Sequence, residues 1–407
     1  MSRAPVVLTE YRPSDPLTLS VSERDALRSF VRGLTAEPVA GSTDTYVLTS
    51  GSAVGVVRVG DLTVELRPKV GIAPVLFLLS YALDPKGWRD TPAALARDVN
   101  LAEAVVPLFS QAASAALRPC LLHGYRRYED TLTTVRGRVR MAQQMRARTG
   151  LPLPVEVVYD DFTPDILENQ LLRTAVDTLG RLRLRHPSSR LSLARLHQLL
   201  QPVSTLQLGR HSVPEPTWTR LNERYRPVVA LARLIVTTAG LEAQAGSEDA
   251  AAFVIDMNAV FERFVRESLR EQLHLPPSAF PAGRSASNLH LDTGRHVSLE
   301  PDLSWWELGR CVFVGDCKYK KTTGSVPNAD VYQMLAYLTA LHLPEGLLVY
   351  AAGEDFPHDV HIDAAGKRIH VRTLDVAQAP TVVLGEVQKL AGFVRQLQTG
   401  ARVRVAS

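Results

Sequence analysis

Two aspartates and a lysine carry the spacing that metal-assisted chemistry needs. Asp302 follows Leu299-Glu300-Pro301, and Asp316 stands fourteen residues on, in Phe313-Val314-Gly315-Asp316-Cys317-Lys318. Strand-like runs near 296–304 and 311–320, with a short loop Glu307 to Arg310 between them, predict a hairpin. In that hairpin Asp302 comes level with residue 315 or 316, and alternation puts Asp316 and Lys318 on one face. Two carboxylates and an ammonium would then share a small volume. Oxygen donors of this kind suit Mg²⁺ or Mn²⁺, with Lys318 orienting a nucleophile or neutralising developing charge. The plainer reading of such a D-x-K is an exposed strand face with a surface ion pair.

Two helices must flank this hairpin. Upstream, a helix from about Phe253 to Leu273 has an apolar stripe of Phe253, Met257, Val260, Phe261, Phe264 and Val265, with Glu262 at its edge. Glu262 could face the carboxylates or simply pair with Arg266 one turn on. Downstream, a helix from about Asp330 to Leu341 puts Gln333 and Tyr337 on one face, either beside the site or as core packing. The strand Leu347-Leu348-Val349-Tyr350 follows.

Further toward the N-terminus, Thr45 to Thr49 and Val54 to Val59 are β-branched runs. Gly60-Asp61 then leads into the alternating Leu62 to Leu66, the signature of a hairpin. Helices are expected from Pro74 to Leu83 and from about Thr91 to Leu117. The window 118–148 holds eight arginines against Glu129 and Asp130, whereas 152–170 holds five acidic residues and no Lys or Arg. Helices at about Asn169 to Leu184, Arg190 to Leu200 and Arg220 to Ala239 complete a middle expected to be all helix. The small, polar stretch Gly240 to Asp249 marks a boundary. These readings predict a multi-domain α+β chain: a β-containing segment 1–115, a basic and helical middle 116–240, and a mixed α/β segment 241–407.

In the order E…P-D…D-x-K…Q-x-x-x-Y, the C-terminal residues resemble the PD-(D/E)xK nuclease superfamily, whose core is a mixed sheet flanked by helices. Val56 to Gly71, Thr134-Val135-Arg136-Gly137-Arg138 and Asp161 to Leu172 resemble, in order, the motifs of the McrC family. McrC is the nuclease subunit of the McrBC modification-dependent restriction system. The resemblance implies Asp302, Asp316, Glu262 and the backbone carbonyl of Cys317 around Mg²⁺ or Mn²⁺, with Lys318, Gln333 and Tyr337 completing the catalytic set. It implies DNA as substrate and, as partner, a McrB-like hexameric AAA+ GTPase bound through the N-terminal region. The absence of a G-x-x-x-x-G-K-[ST] loop accords with nucleotide hydrolysis by the partner. Two other classes stay open: a nuclease-inactive activator of an AAA+ hydrolase, and a stand-alone nuclease.

Arg136, Arg138 and Arg140 alternate as a phosphate-tracking strand face would, and Lys320 and Lys321 could also meet DNA. The competing reading is an intramolecular ion network with the acidic 152–170 segment. Asp161, Asp165 and Glu168 look like a metal cluster only superficially; Thr163-Pro164-Asp165 reads better as a capped helix start. Across the 407 residues the net charge is only +4, which excludes a histone-like arm. Cys120, Cys311 and Cys317 form no CxxC pair, so neither a disulfide scaffold nor a zinc ribbon is expected. Without a signal-peptide pattern or a long apolar run, the chain reads as cytoplasmic and soluble.

Overall fold

The computed structural model describes residues 3–83, 85, 100–147, 153–182, 184–206, 213–239, 250–282, 289–320, 326–351 and 359–406. The expected boundary Gly240 to Asp249 lies outside them. The chain groups into two compact units that cut differently from the division at 115 and 240. One unit joins residues 1–56, 62–101 and 254–407; the other takes 57–61 and 102–253.

The first unit is organised around a five-stranded mixed sheet. Its order is Leu303–Glu307, Arg310–Lys318, Glu345–Tyr350, Lys367–Thr373, Val360–Ile362. The first two strands are the expected hairpin, but their turn is tighter than the predicted loop. Only Leu308 and Gly309 connect them, both at positive φ (47° and 79°), the two-residue geometry that matches strand twist. The first strand also begins later than 296, at Leu303. Arg310–Lys318 runs parallel to Glu345–Tyr350, and that strand parallel to Lys367–Thr373. Their near-continuous apolar burial is the pattern of strands covered on both faces.

The same unit contains the N-terminal strand Val6–Thr9, paired in parallel with Leu62–Arg67. Ala53–Val59 neighbours Leu62–Arg67 in that sheet, with Gly60 at φ 57° in the turn between them, as the Gly60-Asp61 signal predicts. A second small sheet holds Leu17–Thr18, Thr45–Thr49 and Thr35–Pro38. Helix Ile72–Leu83 packs on helix Met257–Leu273 through a three-ring cluster: Phe264 lies 5.3 Å from Phe77 and 5.5 Å from Tyr81, both edge-on. The predicted start of the second helix is corrected. Residues Ala250–Asp256 are a strand, and Asp256 caps the helix by accepting from the Asn258 N–H. The later helices are Asn328–Ala340 and Pro380–Ala406.

The second unit is not all helix. Alongside Leu101–Leu117, Leu167–Gly180, Pro187–Leu199 and Arg226–Ala239 it has a three-stranded antiparallel sheet. The order of that sheet is Gly124–Leu132, Val155–Thr163, Arg138–Val139. Of the arginine-rich run 136–140, only Arg138–Val139 is strand. Leu171, Leu172, Val176 and Leu179, the predicted stripe, are all buried. No helix among the described residues is long and apolar enough to cross a membrane.

Candidate metal and catalytic site

The hairpin register decides where the carboxylates fall. Leu303 faces Gly315, so Asp302, the residue just before the strand, is level with Asp316. Space at Gly315 is tight: a Cβ there would meet the Leu347 carbonyl at 3.1 Å and Leu303 at 3.2 Å. The close parallel approach of Glu345–Tyr350 thus runs past the residue preceding Asp316.

Asp316 is 1% exposed, and Lys318 Nζ lies 2.5 Å from its Oδ2. Asp302 Oδ2 accepts the Cys317 N–H at 2.8 Å. Burial, then the neighbouring Asp316 charge, pushes the Asp302 carboxyl up to about 7. Burial also raises Asp316, with Lys318 offsetting part of the rise. For Lys318, burial opposes the charge, yet Asp316, Asp302 and Asp330 together outweigh it and raise the ammonium above the usual lysine value.

The predicted Q-x-x-x-Y face does meet this site. Lys318 Nζ donates to Gln333 Oε1 (2.8 Å), and Gln333 Nε2 donates to the Tyr337 hydroxyl (3.0 Å). That hydroxyl in turn donates to the Glu300 carbonyl (3.1 Å). The chain of bonds runs from the lysine back to the turn that carries Pro301-Asp302. Burial raises the Tyr337 hydroxyl, so it stays a donor. Both flanking readings hold at once for Tyr337, which is buried core and also ligated to the site.

Glu262 is half-buried and bonded to Arg266 at 2.8 Å, the pairing its helical spacing allows. Burial, then the charge of Asp302, raises its carboxyl against the pull of Arg266. It is within electrostatic reach of Asp302 without closing a three-carboxylate cluster. Among the described residues no three His, Cys, Asp or Glu side chains gather tightly enough to hold a metal ion by themselves. Two adjacent carboxyls, Asp316 buried and Asp302 half-buried, with Asp302 pushed to about 7 by burial first and by the Asp316 charge second, nevertheless suit a divalent cation, which would relieve their repulsion. Mg²⁺ in particular is commonly held by one or two carboxylates, with waters and substrate oxygens filling its octahedron. Of Cys317, the observed contact with Asp302 is through its N–H, and its side chain is buried.

The possible DNA contacts fare differently. Lys320 is tied to Asp330 at 2.7 Å, and Asp330 also accepts the Tyr350 hydroxyl at 2.6 Å, so this lysine fastens helix Asn328–Ala340 to the sheet. Asp330, buried at 5% exposure, reads from sequence only as the start of the Gln333 helix, and its place in the first turn is the one signal of a partner for Lys320. Lys321 lies outside the described residues. In the second unit Arg136 pairs with Asp161 at 2.7 Å and Arg140 with Glu129 at 2.9 Å. Arg138 stands opposite Val158. The ion pairing with the acidic 152–170 segment is therefore seen for Arg136, whereas Arg140 pairs with Glu129 outside that segment.

The acidic trio diverges as well. Asp161 takes Arg136, Glu168 accepts from Asn222 at 2.7 Å, and Asp165 binds Arg126, Gln170 and Ser204. The expected side-chain cap does not form. The helix opens at Leu167 with Ile166 at the cap position, and an isoleucine side chain has no oxygen to cap with, while Asp165 is bonded to Ser204.

A mixed α/β chain that gathers a buried and a half-buried carboxyl, a lysine and a Gln–Tyr relay at one sheet hairpin is the class defined so far. A family model described as McrBC 5-methylcytosine restriction system component matches residues 48–351, and the chain belongs to that family. Among solved structures it is similar to a chain of the refined half-complex from the tetradecameric assembly of Thermococcus gammatolerans McrB AAA+ hexamers with bound McrC. Identity is 18%, coverage is 95% of this chain and 99% of that one, and the TM-score is 0.55. At that identity the likeness concerns the fold. The cryo-EM structure of the Thermococcus gammatolerans McrBC complex also matches, at 20% identity, with 66% of this chain and 88% of that one covered and a TM-score of 0.40. No curated protein sequence matches the chain.

Proposed function

We propose that this chain is the DNA-cleaving subunit of a McrBC-type restriction system, a PD-(D/E)xK nuclease that works with a McrB-like AAA+ NTPase on DNA carrying modified cytosine. The observation that carries the reading is the Asp302–Asp316 pair with Lys318 held by Gln333. Family membership and the McrB-with-McrC assemblies among its structural neighbours support the restriction setting.

A Mg²⁺ or Mn²⁺ ion held by Asp302 and Asp316 would supply Lewis acidity and a more acidic bound water. The chain's own residues do the remaining work. Lys318, held between Asp316 and Gln333, serves as a preorganised cation for charge building on phosphoryl oxygens. Gln333 fixes the direction of that ammonium. Tyr337, donating to the Glu300 carbonyl, holds the Pro301-Asp302 turn in register with Asp316. Glu262 adds negative potential beside Asp302.

An activator without nuclease activity would have no use for two adjacent carboxyls, one buried and one half-buried, that repel one another. The test is incubation of the chain and its AAA+ partner with 5-methylcytosine-bearing plasmid, with GTP or ATP, in Mg²⁺ or in excess EDTA. Fragmentation in Mg²⁺ alone is expected. Intact DNA in every arm, with partner hydrolysis running, would favour the activator reading.

A further inference from the structure

The N-terminal motif Leu62-Thr63-Val64-Glu65-Leu66-Arg67-Pro68-Lys69 is expected from sequence to serve a motor, yet it meets the candidate site from behind. Tyr319, the residue after Lys318, is 1% exposed and alternates to the opposite face of the strand. Its hydroxyl donates to Glu10 Oε2 at 3.3 Å, a bond buried between residues 309 apart in sequence. The same Glu10 oxygen accepts the Lys69 backbone N–H at 2.8 Å. The Lys69 ammonium sits 4.0 Å from the centre of the Tyr319 ring, close enough for a cation–π contact. The Tyr319 ring also lies 6.1 Å from that of Phe261, the neighbour of Glu262.

Glu10 is 3% exposed, and its second oxygen, Oε1, is buried without a hydrogen-bond partner. A buried carboxylate so incompletely satisfied is costly, and a core that needed only packing would be served by an apolar side chain. What the carboxylate does here is bind two donors from distant segments. One is the end of the strand bearing Asp316 and Lys318, and the other is the Pro68-Lys69 corner.

We infer that Glu10 and Lys69 are positioning residues for the catalytic strand: they clamp Tyr319 so that Lys318, on the facing side, is held against Asp316 and Gln333. The N-terminal motif is thereby part of the nuclease machinery. The inference rests on the proposed nuclease reading.

The experiment uses the full chain with its AAA+ partner and modified DNA, read by single-turnover cleavage in Mg²⁺. Glu10→Ala, Lys69→Ala, Lys69→Arg and Tyr319→Phe are compared with wild type and with Asp316→Ala. Positioning predicts a rate constant at least tenfold lower for Glu10→Ala and Lys69→Ala, at unchanged DNA affinity. Lys69→Arg, which keeps a cation over the ring, should recover most of the rate. A merely structural role would lower the cleaved fraction and leave the rate constant of the folded fraction unchanged, which would overturn the inference. Tyr319→Phe removes one hydroxyl and leaves the ring, so it reports even if Glu10→Ala fails to fold, and its rate should also drop several-fold. A wild-type rate for Tyr319→Phe together with Lys69→Ala would sink the clamp alone, provided Asp316→Ala is dead. Cleavage by Asp316→Ala at the wild-type rate would sink the nuclease reading and the clamp with it.

Discussion

Grouping residues 62–101 with the carboxylate-bearing segment predicts a measurable coupling between Phe77 and Phe264. Phe264 is fully buried and Phe77 is 6% exposed, with ring centroids 5.3 Å apart at 65°. Truncating either ring to alanine should cost about 3–5 kcal/mol, the transfer loss plus the cavity left behind. The edge-to-face contact itself contributes about 0.5–1.5 kcal/mol beyond burial. The double truncation should therefore cost less than the sum of the single ones by about that amount or more, because the second deletion enlarges an existing cavity. The assay is a double-mutant cycle by urea denaturation of the full chain, followed by the fluorescence of Trp305 and Trp306 on the site hairpin. Costs that add within about 0.5 kcal/mol would show that the two helices do not share a core, and would refute the grouping. Phe→Leu versions of the cycle serve if the double alanine variant is too unstable to purify.

Deleting residues 1–101 should unfold the carboxylate-bearing segment and not merely detach it from a motor, since Glu10, Phe77 and Tyr81 all pack into it; a soluble, cooperatively melting 254–407 fragment would contradict this. Gln333→Ala should slow cleavage more than tenfold without loss of thermal stability beyond a few degrees, because it frees a surface-accessible ammonium and not core packing; an unchanged rate would remove Gln333 from the site. Asp165 gives the pH dependence. Burial opposes its charge, but bonds from Gln170 and Ser204 and the Arg126 cation outweigh it and hold the carboxyl below its usual value. A folded pKa below the unfolded one contributes stability at neutral pH that fades as pH falls below about 4. The stability gap between wild type and Asp165→Asn should accordingly close in acid, as read by denaturant melts from about pH 7 to pH 3, and a widening gap would reverse the sign assigned here.

The carboxylate register was legible because it depends on local rules. A period of two and a short connection leave Asp302 few partners, and the observed one, Asp316, is among the two expected. The Gln333–Tyr337 face was legible for the same reason, one turn of a helix. What escaped was non-local. Nothing near Lys320 in sequence announces Asp330 as its partner, and nothing in the motif around Lys69 announces Tyr319, 250 residues on. The strand Gly124–Leu132 escaped because its sequence, with Tyr and charged residues on both faces, has no apolar–polar alternation, and much of it lies at the surface. Phe253 entered the predicted helix because a short apolar run shows no period of its own; Asp256, a capping residue type before Met257, was the cue that fixed the true start.

The central claim is that Asp302 and Asp316 hold the ion with which this chain cuts DNA. It is tested most directly by Mn²⁺ binding, followed by electron paramagnetic resonance, in wild type, Asp302→Ala and Asp316→Ala, with cleavage and partner NTP hydrolysis measured on the same preparations. The account predicts Mn²⁺ bound by wild type, and both binding and cleavage lost in each variant while stimulation of the partner hydrolase persists. Undiminished Mn²⁺ binding and cleavage in Asp316→Ala would contradict it.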